Sequence, residues 1–146
     1  MPSAYSGNRT TGGRTAVAVG VLLAIALVHA FRLGSHLRGR LFVLYYSYFS
    51  DVVSPFGMYF LLCLEDTWVR FLRDWRLKAL LVFGVASFTE VLQAFGVPLL
   101  GRTFDPLDFA MFAGGVLLAA LADRFLLERF LPGWSFTEKA EALPRS

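Results

Sequence analysis

Four stretches of this chain are each apolar for about the 20 residues that an α-helix needs to cross a hydrocarbon layer. They run over 15–33 (TAVAVGVLLAIALVHAFRL), 41–64 (LFVLYYSYFSDVVSPFGMYFLLCL), 79–100 and 106–127. No other feature restricts the fold so tightly. In lipid, a run of this length must satisfy its own backbone N–H and C=O groups, which a helix does internally. Composition agrees: 56% of the 146 residues are hydrophobic, 17% are charged, and mean hydropathy is +0.57. Such a chain could not hide its apolar surface by folding in water. The expected fold is all-α, a four-helix transmembrane bundle forming one domain over 15–131.

The flanks read differently. Residues 1–14 (MPSAYSGNRTTGGR) are rich in Gly, Ser and Thr and are expected to be disordered. Residues 132–146 form a polar tail that Pro132 and Gly133 separate from the last span. The first apolar run has an alternative reading as a signal peptide, with Arg9 and Arg14 ahead of it and VHA as a small-residue cleavage site. Lys and Arg set the expected orientation. Arg9, Arg14, Arg70, Arg73, Arg76, Lys78, Arg124, Arg129, Lys139 and Arg145 fall on one side, and Arg32, Arg38, Arg40 and Arg102 on the other. Both termini then face the cytoplasm, across the inner (plasma) membrane.

The second loop, EDTWVRFLRDWRLK, repeats Trp68, Phe71, Leu72 and Trp75 at helical spacing. Its acidic start and basic end suit a helix dipole. A short amphipathic helix lying in the inner interface is expected there, with Trp134 joining Trp68 and Trp75 in a cytoplasmic aromatic belt.

The net charge of +3 and pI near 9.4 do not point to nucleic acid, because the basic residues form no continuous face. Cys63 is alone inside an apolar run, so no internal disulfide or thiolate metal site follows. His29 and His36 are too isolated to suggest zinc. No cofactor is implied.

What the spans hold besides apolar residues is more informative. Glu90 lies about 12 residues past Lys78, or roughly 18 Å up a helix, in the outer half of a layer about 30 Å thick. Gln93 shares its face. Asp51, entering from the other side, reaches a similar depth, and Asp105 and Asp108 open the fourth span beyond Arg102. These six residues, Asp51, Glu90, Gln93, Arg102, Asp105 and Asp108, are therefore expected to converge as a binding site. Intramembrane ionisable residues generally face a bundle interior or a cavity. Four carboxylates against one arginine leave surplus negative charge, to be neutralised by protons, water or a ligand cation.

Plainer roles compete. Asp105-Pro106-Leu107-Asp108 has the form of a helix start, with Asp as N-cap and Pro at the first helical position. Pro55 and Gly57 can kink the second span. Gly114 and Gly115 suit close helix packing. Ser47, Tyr48 and Ser50 can bond along their own helix. Glu90 is the exception, since neither capping nor packing calls for a carboxylate in mid-span.

Glu90-Val91-Leu92-Gln93, then GRTFDPLD over 101–108, then Gly114-Gly115 resemble the signature of VanZ-like membrane proteins. The stretch FSDVVSPFGMYFLL over 49–62 is similar to the family's earlier motif, and the likeness covers 41–122. Asp51 stands where the family often has Asn, and Phe112 replaces an often-found asparagine, which removes a polar group from the site. The family is named for an association with resistance to the glycopeptide antibiotic teicoplanin. The resemblance implies a small multi-span envelope protein with an outward-facing site.

Three functions fit these residues. The site could bind a membrane lipid or lipid-linked envelope-precursor headgroup without catalysis. Alternatively, an enzyme on a lipid-linked substrate could use Glu90 as acid or base with Asp108 in support. The third is a proton or ion pathway over Asp51 and Glu90. Four spans make a small frame for transport, and a homo-oligomer is compatible with it.

Overall fold

The structure is a computed structural model that describes residues 7–65, 68–97, 104–131 and 134. Four helices dominate: α1 (Gly7–Ala30), α2 (Arg40–Glu65), α3 (Trp75–Ala94) and α4 (Pro106–Phe130). All four are long and apolar enough to cross a membrane, and no strand occurs among the described residues. The expected all-α fold built on four long apolar helices is what the chain forms.

Packing concentrates on one seam. α2 and α4 make the most extensive contact, α1 packs on α2, and α3 rests on both α2 and α4. Gly115 explains the α2–α4 approach, because a Cβ there would overlap the Val52 carbonyl. Gly57 does the same for α1, where a Cβ would stand 3.1 Å from Ile25 Cδ1. Gly114 has open space beyond it, so of the paired glycines only Gly115 is a close-packing position. The core is small, built from Ala18, Tyr59, Phe60, Val82, Val116 and Ala119. Much of the apolar bulk faces outward instead, including Leu23, Leu80, Phe88, Leu117 and Phe125. A surface of that kind is at home in lipid and not in water.

Three boundaries differ from the sequence reading, each for a local reason. α1 begins at Gly7, so the segment 7–14 is helical rather than disordered; residues 1–6 lie outside the described residues. Arg14 is buried and stacks on Trp134 at 4.6 Å, and this contact overrides the weak helix propensity of a Gly- and Thr-rich stretch. α3 begins at Trp75, because the Asp74 carboxylate accepts the Arg76 backbone N–H at 2.9 Å and caps it. Its end is equally defined. Gly96 takes φ +79°, and Gly96 and Val97 donate their N–H groups to Gln93 and Leu92, a Schellman ending. Within the stretch expected to form an interfacial helix, the described residues hold one 3₁₀ turn, Arg70–Arg73. Leu72 is buried there while Trp68 and Phe71 are exposed.

Two helices are locally widened. α2 contains a π-helical turn at Tyr45–Phe49 and α4 one at Ala122–Leu127. Such turns rotate the residues that follow relative to a regular helix. One precedes Asp51 and the other contains Asp123, so each lies beside a polar centre.

Candidate functional site

At the end of the bundle where α3 finishes and α4 starts, a cavity of about 500 Å³ opens between α2, α3 and α4. α2 supplies Tyr46, Ser47, Ser50, Asp51, Ser54 and Pro55 to its wall; α3 supplies Thr89, Glu90 and Gln93; α4 supplies Asp108 and Phe112. Helical periodicity explains the α2 face, since Ser47, Ser50, Asp51 and Ser54 recur at three- and four-residue steps. Pro55 cannot donate the N–H that would otherwise reach the Asp51 carbonyl four residues earlier. That carbonyl is thereby freed beside the carboxylate of the same residue.

Glu90 is nearly inaccessible, at 2% exposure. Its Oε1 accepts the backbone N–H of Asp105 at 2.8 Å. Asp105 is the N-cap of α4, and its own Oδ1 accepts the Leu107 N–H at 2.9 Å. In a capping box the residue at N3 would reach back to the N-cap N–H. Here N3 is Asp108, and Glu90 on the neighbouring helix takes that bond instead. Three carboxylates thus gather at the N-terminal end of α4, where the helix dipole favours negative charge.

Asp51 and Asp108 differ from Glu90 and Asp105 in their bonding. Among the described residues, neither the Asp51 nor the Asp108 carboxylate has a hydrogen-bond or ion partner. Both are half-buried, and Asp51, Glu90, Asp105 and Asp108 are close enough to repel one another's charge. No group of three or more His, Cys, Asp or Glu side chains among the described residues is arranged to hold a metal ion.

Of the six residues expected to converge, Asp51, Glu90, Gln93 and Asp108 share this cavity, and Asp105 adjoins it through its N–H. Arg102 lies outside the described residues. Glu90 sits four residues before the end of α3, about 6 Å from it, and what changes is its role, since the start of the next helix does call for this carboxylate. Sequence reasoning treated Ser47 and Ser50 as locally satisfied and passed over Ser54 and Thr89. Tyr48 lies in an apolar groove with Leu41, Leu44 and Val52, away from the cavity.

A second polar centre, at the opposite end of the bundle, escaped the sequence reading. Asp123 Oδ2 accepts Tyr59 Oη at 2.6 Å and Lys78 Nζ at 3.3 Å, and Oδ1 accepts the Trp134 indole N–H at 2.5 Å. Lys78 Nζ also lies 3.2 Å from Cys63 Sγ. Lys78, Asp123 and Trp134 are all buried. Lys78 was expected as a loop cation and Trp134 as an interfacial anchor; both are core residues. The available signal was Asp123 itself, an acid with no role assigned inside a fourth apolar run.

Compared with known proteins, the chain matches no family model, no curated protein sequence and no solved structure.

Proposed function

We propose that this chain is a VanZ-like, multi-pass protein of the inner membrane whose cavity receives the headgroup of a membrane lipid or lipid-linked envelope precursor. The observation that carries this reading is the pair Asp51 and Asp108, half-buried acceptors without a partner among the described residues, in a cavity with hydroxyls and an amide on its other walls. Carboxylates only accept hydrogen bonds when ionised, so the complement is a group rich in donors, such as an ammonium or a cluster of sugar hydroxyls. Arg102, next to this region in sequence, would add an anion clamp for a phosphate.

In the proposed orientation both termini are cytoplasmic and the cavity faces outward. Removing the buried Arg14 and Lys78 from the count still leaves most basic residues on the cytoplasmic side. Trp68 and Phe71, exposed beside the Arg70–Arg73 turn, would lie in the inner interface. Binding an exposed envelope precursor would also account for a link to glycopeptide resistance. The reading as an enzyme leaves Glu90 only its second oxygen for acid or base work, since Oε1 accepts the Asp105 backbone N–H.

The test is lipid analysis by mass spectrometry of protein extracted from cell membranes. A species enriched on the wild type and reduced about tenfold on Asp51→Asn/Asp108→Asn, as expected for losing charged hydrogen bonds, supports the proposal. Identical lipid profiles on both proteins refute it.

A further inference from the structure

We infer that Glu90 is a positioning residue, holding the start of α4 so that Asp108 faces the cavity, and that ligand is met by Asp51 and Asp108. This rests on the headgroup-binding reading and assigns roles within that site. Glu90 is 98% buried by the 2% exposure it retains, and its Oε1 is spent on the Asp105 N–H. That bond lies outside α4 and joins it to α3 across the segment 95–104, so it sets where the fourth helix begins. It also relieves Asp108 of the capping duty that an acid at N3 would perform. The consequence is a division of labour among acids that look alike in sequence. Glu90 needs an acceptor oxygen at a fixed place, whereas Asp108 needs a negative charge open to the cavity.

A glutamine retains the acceptor and removes the charge, which separates the two roles. The protein is placed in nanodiscs of phosphatidylethanolamine and phosphatidylglycerol, and two quantities are read: amide hydrogen exchange over 104–108, and bound lipid by native mass spectrometry. Glu90→Ala is expected to speed exchange of the Asp105 amide about tenfold, the worth of one buried hydrogen bond, and to lower lipid retention. Glu90→Gln is expected to rescue both. Asp108→Asn is expected to lower retention while exchange stays slow. Should Glu90→Ala fail to fold, Glu90→Asp, one methylene short of the N–H, takes its place with the same expected direction.

Unchanged exchange in Glu90→Ala would overturn the inference. So would loss of lipid in Glu90→Gln equal to that in Asp108→Asn with exchange still slow, since the Glu90 charge would then meet the ligand. If the wild type retains neither lipid selectively, the reading as a site for these two phospholipid headgroups fails. The exchange data still decide whether Glu90 positions α4.

Discussion

The two ends of this bundle treat buried charge in opposite ways. At one end Asp123 is surrounded by Tyr59, Lys78 and Trp134, and its oxygens accept from all three. At the other, Asp51 and Asp108 line a cavity of about 500 Å³ with no partner among the described residues. A closed and satisfied network ties helices together, and removing one member leaves the others stranded. An open set of acceptors contributes little to folding and keeps its bonding capacity for something else. The difference separates a fastening from an open cavity, although acids within apolar helices build both.

That contrast can be broken by mutation. The largest effect is expected for Asp123→Ala, which takes the carboxylate away from the buried Lys78 cation and removes the acceptor shared by Tyr59 and Trp134. Breaking a buried pair from one side costs about 3–5 kcal/mol, so the variant should show sharply reduced yield and a lower Tm in detergent. A variant as stable as wild type would mean that the network is not a fastening.

Gly115→Leu comes next. Its side chain would overlap the Val52 carbonyl and push α2 from α4, costing about 3 kcal/mol, the upper part of the range for overpacking. Because the seam runs between the two centres, lipid retention should fall together with Tm. Gly114→Leu, with open space at that position, should change neither.

Trp134→Phe keeps a ring over Arg14 but removes the N–H given to Asp123. Leaving that acceptor short by one donor should cost about 1–2 kcal/mol, read as a modest drop in Tm. An unchanged Tm would show that the described tail residue adds nothing to the closed centre.

The smallest effect on stability is expected for Asp51→Asn/Asp108→Asn, within about 0.5 kcal/mol of wild type or slightly stabilising, as mutual repulsion is relieved. A loss as large as that of Asp123→Ala would erase the distinction between the two ends.

The number and approximate place of the long apolar helices were legible because lipid demands an unbroken apolar run about 20 residues long, a one-dimensional property; their ends, as at Trp75 and Ala94, were set by caps. The start of α4 was legible too, since Asp105, Pro106 and Asp108 are local signals. Glu90 and Gln93 were recognised as facing the site from their polarity in an apolar run. The donor that Glu90 serves was not, because Asp105 lies on another helix. The closed centre stayed hidden for the same reason: Tyr59, Lys78, Asp123 and Trp134 are far apart along the chain, and Lys78 was counted with the loop it follows.

The sequence by itself determined that the chain is helical, that it carries four segments suited to lipid, and where most of its acids stand along them. Each follows from near-neighbour chemistry: periodicity, capping and hydropathy. Only the tertiary structure decided which acids are engaged and which are left open. That choice depends on donors brought from other helices, and above all on Gly115 letting α2 approach α4 closely enough to bring both polar centres together.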